Sequence, residues 1–171
     1  HCHRYNQRSS NDMKILNDIE IAVLSSTETE EFMEILWTAL NPEGVTGRTR
    51  SILNDPIIRP FYEDWGEPDD IGFAAIKEGK MIGAIWSRIK ECVTREYAEY
   101  PELGIGVLPE YQDMGIGSFL LKTLIKTCRK KYPGLRLGVN EKAIRVLSFY
   151  FHFGFEEYDK YHGSPQLKLT F

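Results

Sequence analysis

The chain has 171 residues, 42% hydrophobic and 27% charged, a balance that suits one globular domain with a buried core. Its formal net charge is -4, and the one basic run, Arg129-Lys130-Lys131, falls at a predicted helix end where cations complement the helix dipole, so nucleic acid is not expected as a partner. Three cysteines (Cys2, Cys92, Cys128) are odd in number and make no disulfide framework, and no apolar run reaches the ~18 residues of a membrane span, so a cytoplasmic protein without membrane attachment is expected.

Residues 1–12 are polar and lack a signal-peptide core, so they read as a leader or tag before Met13, with the single domain over 13–171. His1-Cys2-His3 has metal-binding side chains, but on such an end they read as incidental, and no metal is expected. A strand is predicted over 19–24. Ser26 or Thr27 then caps a helix, with Glu30 in capping-box position and Phe32, Ile35, Leu36, Ala39 and Leu40 at helical spacing. That helix stops at Asn41-Pro42-Glu43-Gly44. The proline-rich, acidic stretch 48–70 predicts one or two short helices and loops.

Strands follow over 71–77 and 81–90, joined by the hairpin turn Lys77-Glu78-Gly79-Lys80, and another over 103–108. Residues 116–132 form the clearest helix, with Leu120, Leu124 and Cys128 on one stripe and Pro133-Gly134 at its end. A strand over 135–139, a helix over 141–153 closed by Gly154, and a terminal hairpin from 158–161 and 167–171 complete the pattern. An antiparallel hairpin combined with β–α–β crossovers gives an α/β (α+β) domain, its mixed, mostly antiparallel central sheet flanked by helices.

The turn between the 103–108 strand and the 116–132 helix carries Gly115 and Gly117. Helix starts leave backbone N–H groups unpaired and carry partial positive charge, which suits an anionic phosphate, and glycine removes side chains from its path. A phosphate-binding P-loop needs Lys then Ser or Thr after its last glycine, whereas Ser118-Phe119 follow here. A dinucleotide fingerprint needs a third glycine where Leu120 stands. On the glycines alone, an anion site and tight helix packing both remain open.

Val107-x-Pro109-x-x-Gln112-x-x-Gly115-x-Gly117 resembles the principal acetyl-CoA motif of the GNAT superfamily of N-acyltransferases, matching all five defined positions. Phe149-Tyr150 followed by Gly154-Phe155 is similar to that family's second motif. One position departs: Ala143 stands where an Asn often precedes the Tyr by seven residues, and Asn140 lies about one turn earlier. The resemblance implies a GNAT-like fold over nearly the whole chain from Ile19, and acetyl-CoA as co-substrate. It further implies that the backbone of Gln112, Asp113, Met114, Gly115, Ile116, Gly117 and Ser118 holds the pyrophosphate. The strand edge at Ile105, Gly106 and Val107 would pair with the pantetheine amides.

Amide formation from a thioester needs a base for the protonated amine, an oxyanion donor and a proton for the leaving thiolate. Glu102, at the start of its strand, is the candidate base, and the Val107 N–H the candidate oxyanion donor. Tyr150 stands where the family places a tyrosine near the coenzyme sulfur, and a phenol suits the proton donor's role. His152, His162 and Cys128 read as surface or packing residues, and Cys92 has no histidine nearby to activate it. Trp37, Tyr62, Trp65 and Trp86 are expected to bind the acceptor, with acidic and aromatic residues of 61–70 walling its cleft against a cationic amine. The expected reaction is acetyl transfer to a primary amine of a small molecule or peptide by direct attack. The alternative is a non-catalytic acyl-CoA sensor of the same fold; a homodimer is left open.

Overall fold

Alternating apolar residues and one tight turn build the centre of the fold. The computed structural model describes residues 18–90 and 96–171; the leader expected at 1–12, Met13, the His1-Cys2-His3 group and Cys92 lie outside them. Strands β1 (Glu20–Val23), β2 (Ile71–Lys77) and β3 (Lys80–Arg88) form an antiparallel meander. Glu78 (φ 51°) and Gly79 (φ 75°) make the two-residue left-handed turn that matches strand twist. Strand β4 (Glu102–Val107) continues the sheet antiparallel to β3, and β5 (Gly134–Gly138) follows parallel to β4. The hairpin of β6 (Glu156–Tyr161) and β7 (Ser164–Thr170) closes it, giving the order β1-β2-β3-β4-β5-β7-β6.

Helices cover both faces. Helix α1 (Glu30–Leu40) buries Phe32, Ile35 and Leu36 against Ala74, Ala84 and Trp86. On the opposite face α2 (Ile116–Cys128) and α3 (Ile144–His152) pack Leu120, Leu124 and Tyr150 against Ile85, Leu103, Leu135 and Leu167. Full burial of such aliphatic side chains contributes about 1.5–3 kcal/mol each. This is the α/β, mostly antiparallel architecture expected from the sequence. No described helix is long and apolar enough to cross a membrane.

Local details differ from the sequence reading. Helix α1 is capped by Thr29, whose hydroxyl accepts from the Phe32 N–H at 3.1 Å. Thr27 is buried instead and donates to the Tyr62 carbonyl. Between 41 and 61 there is no α-helix, only 3-10 turns at Pro42–Gly44, Arg50–Asn54 and Arg59–Phe61, because prolines 42, 56 and 60 interrupt any longer ladder. Helix α2 ends at Cys128 rather than 132, since the residue before Pro133 is pushed out of the helical region. Helix α3 starts at Ile144 rather than 141. The Asn140 side chain caps a turn there by accepting from the Lys142 N–H.

Candidate active site

The two parallel strands diverge almost as soon as they meet. Glu102 and Arg136 are the single register pair between β4 and β5, and the Arg136 N–H donates to the Pro101 carbonyl at 3.0 Å. At the other end of β4 the Leu108 N–H donates to Ile82 on the β3 side. Backbone groups alternate along a strand, so those of Gly104 and Gly106 face β3 while those of Ile105 and Val107 face the gap. Buried backbone groups need partners, and this gap offers a strand edge to an extended ligand. It forms part of a cavity of about 820 Å³, the size of an ordinary ligand site.

The glycine turn closes one end of the gap. The Gln112 side chain donates to the Val107 carbonyl at 2.9 Å, folding the turn back on the strand end. Asp113 (φ 61°) and Gly115 (φ 86°) take left-handed conformations, and Gly115 caps α2, whose first N–H groups open toward the cavity. A Cβ on Gly117 would meet protein only at 3.9 Å, from Ile105, Val107 and Phe149. Helix packing therefore does not require this glycine; the space beside it is left for something else. Of the expected coenzyme residues, Ile105, Gly106, Val107, Gln112, Asp113, Gly115, Ile116, Gly117 and Ser118 line the cavity, and Met114 does not. The Asp113 carboxylate pairs with Arg145 of α3 at 3.0 Å. Asn140 also lines the cavity, although its Oδ1 is engaged by Lys142.

Glu102 lies in the cavity wall at the apex of the gap. Its Oε2 meets Arg136 Nη1 at 3.2 Å and Lys90 Nζ at 3.4 Å. The carboxylate is thus partly buried, between two cations. Its Oε1 takes no part in either ion pair. Arg136 is anchored further by donating to the carbonyls of Tyr100 and Lys90. Lys90 lies 3.3 Å from the centre of the Phe61 ring.

Tyr150 comes from the opposite face of the sheet. Its ring is wedged edge-on between Phe149 and Phe155 and is 2% exposed. It lines the cavity, and none of the hydrogen bonds among the described residues uses its hydroxyl. Burial pushes the phenol well above the ordinary tyrosine value, so it is protonated across the physiological range. Cys128 sits in the core, its thiol pushed up to about 11 by burial. His152 and His162 are exposed and outside the cavity wall. Among the described residues no group of three or more His, Cys, Asp or Glu is arranged to hold a metal ion.

The wall of the cavity differs from the acceptor wall expected from the sequence. Of the four aromatic candidates only Trp86 lines the cavity. Tyr62 donates to the Leu53 carbonyl at 2.7 Å and Trp65 to the Leu24 carbonyl at 2.9 Å, so both hold the 48–66 segment to the body of the fold. Trp37 stacks with Arg50 away from the cavity. None of the acids of 63–70 lines the cavity; Asp70 is buried against Arg88 at 2.7 Å, Glu63 pairs with Arg59, and Asp69 with Lys131. Arg88 also donates to the carbonyls of Pro60 and Glu63, pinning the segment. Its wall is formed by apolar residues that the sequence did not single out, including Leu36, Ile57, Ile58 and Pro60, with Phe61 beside them. Gln166 of β7 was also missed. Its signal was alternation: Gln166 and Lys168 share one face of a strand whose other face carries Leu167 and Leu169.

Comparison with known proteins agrees with this geometry. The chain superposes on a PaiA N-acetyltransferase from Thermoplasma acidophilum in complex with coenzyme A, with a TM-score of 0.69 and 23% identity over 90% of this chain and 99% of that one. A GNAT-family acetyltransferase from Staphylococcus aureus Mu50 matches with a TM-score of 0.69 and 20% identity over 89% and 98% of the two chains. One from Brucella melitensis in complex with acetyl-CoA matches with a TM-score of 0.60 and 20% identity over 90% and 88%. These likenesses show the shared fold. No curated protein matches the sequence as a relative. The model of the acetyltransferase (GNAT) family matches residues 29–155, which include the split strands, the glycine turn and Tyr150. The chain belongs to the GNAT acetyltransferase family.

Proposed function

We propose that the protein transfers an acetyl group from acetyl-CoA to a primary amine by direct attack. One observation carries this reading: Glu102 and Tyr150 line one cavity from opposite faces of the sheet, at a gap that the backbone of Ile105 and Val107 faces. The residues present fit the coenzyme. Gly117 keeps a place that a Cβ would fill, and the start of α2 presents N–H groups for a pyrophosphate.

Acetyl-CoA supplies the thioester when bound. Ile105 and Val107 offer their backbone to the amides of its extended arm, and the Val107 N–H polarises the carbonyl. Glu102 Oε1 takes the amine proton, directly or through water, as the new C–N bond forms. The Tyr150 hydroxyl gives its proton to the sulfur as the C–S bond breaks. Base and acid act from opposite faces, so the amine enters from the α1 side and the thiol leaves on the α3 side.

The test is release of free thiol from acetyl-CoA across a panel of amines. Amine-dependent release supports the reading. Tight acetyl-CoA binding with no turnover on any amine would leave an acyl-CoA-binding module instead.

A further inference from the structure

Trp86 and Gln166 approach the gap from its two sides, each laid across a glycine. Trp86 of β3 pairs with Gly104 of β4, and a Cβ at 104 would meet the indole at 2.5 Å. Gln166 of β7 pairs with Gly138 of β5, and a Cβ at 138 would meet the Gln166 amide at 2.9 Å. Leu103, Leu135, Leu137 and Leu167 all point to the α2 face. By alternation Glu102, Gly104, Gly138 and Gln166 lie on the α1 face, where the amine enters.

Gln166 is 7% exposed and lines the cavity. Its Nε2 donates to the Ser164 carbonyl at 3.2 Å, which fixes the amide so that Oε1 is the other atom of the pair. No hydrogen bond among the described residues ends on that oxygen. That oxygen, in the cavity lining, keeps acceptor capacity that a ligand's donor can use. The same cavity is lined by the apolar Leu36, Ile57, Ile58, Pro60, Phe61 and Trp86, beside the polar Thr38, Glu43 and Arg48. Asp70, Glu63 and Asp69 pair with Arg88, Arg59 and Lys131 and lie outside the cavity wall. Arg48 and Lys90 in the wall offset Glu43 and Glu102.

Resting on the reading above, we infer that the acceptor is a primary amine on an apolar body, and that Gln166 Oε1 accepts one of its N–H groups. The attacking amine is held between Gln166 and Glu102 while its apolar part packs against Phe61 and Trp86. Besides Glu102, the carboxylates in the wall are Glu43 and Asp113, and Asp113 is paired with Arg145.

The experiment compares phenethylamine and tryptamine with spermidine and putrescine, using the wild type, Gln166→Met and Gln166→Glu. The aromatic monoamines should show kcat/KM at least about tenfold above the polyamines. Loss of one neutral hydrogen bond should raise the phenethylamine KM of Gln166→Met by about five- to tenfold. The acetyl-CoA Kd and Tm should stay near wild type, and Gln166→Glu, which keeps an acceptor oxygen, should recover most of the KM. A preference for polyamines, or an unchanged KM in a folded Gln166→Met, overturns this inference and leaves the proposed activity standing. Should Gln166→Met fail to fold, the wild-type preference decides alone. If no amine releases thiol, both readings fall together.

Discussion

Glu102 and Arg136 join the two parallel strands at their single register pair and join again through their side chains at 3.2 Å. The contact that ends the ladder thus also places a carboxylate at the apex of the gap. Glu102→Gln should keep the fold, because the amide still accepts from Arg136, while kcat falls by roughly 10² or more through loss of the base. Glu102→Ala leaves the Arg136 guanidinium, 4% exposed, without its carboxylate, and should lower stability by about 3 kcal/mol. Denaturant melts of both variants, beside their turnover, separate the two roles. Unchanged kcat in Glu102→Gln removes Glu102 from proton transfer.

Tyr150 should show itself in both rate and pH dependence. Tyr150→Phe should lower kcat by roughly 10² with acetyl-CoA affinity little changed. The native phenol titrates above the unfolded value near 10. Its contribution to stability is therefore complete below about pH 10 and is lost as pH rises further. Alkaline melts should accordingly show a steeper loss of stability above pH 10 in the wild type than in Tyr150→Phe. Parallel curves for the two proteins contradict the assignment.

Gly104 gives the Trp86 ring its place. A methyl at 104 would meet the indole at 2.5 Å, so Gly104→Ala should displace the ring into the acceptor side of the cavity. The acceptor KM should rise several-fold more than the acetyl-CoA Kd, with a loss of about 1–3 kcal/mol for overpacking. Equal effects on both ligands would place Trp86 at the coenzyme instead.

Arg88 holds the cavity wall at Pro60 from behind. It pairs with Asp70, whose side chain is 3% exposed, and donates to the carbonyls of Pro60 and Glu63. Arg88→Met strands a buried carboxylate and should cost about 3–5 kcal/mol, visible in urea unfolding. The double variant Arg88→Met/Asp70→Leu should recover part of that loss, whereas a purely additive double variant would argue against the coupling.

The sheet, its hairpins and the glycine turn were legible in the sequence because they rest on local signals: period-two alternation, Glu78-Gly79 in a left-handed turn, and glycines where a helix begins. The acceptor wall was not. Tyr62 and Trp65 sit in an acidic, aromatic stretch that looks like a binding surface, yet their partners, the carbonyls of Leu53 and Leu24, lie 9 and 41 residues away. Only tertiary structure shows that these aromatic side chains are already engaged. Gln166 was missed for the converse reason. Its importance depends on Gly138 of a neighbouring strand, a pairing that sequence spacing does not reveal.

The central claim is that the turn at Gly115 and Gly117 holds the coenzyme, and calorimetric titration with acetyl-CoA tests it most directly. Gly117 is suited to this because a Cβ there meets only ordinary contacts within the protein. Wild type should bind one acetyl-CoA per chain at micromolar Kd or better, and Gly117→Asp, with unchanged Tm, should lose that binding by 100-fold or more, roughly 2.7 kcal/mol. Equal affinity in a folded Gly117→Asp, or no binding by the wild type, would contradict the account.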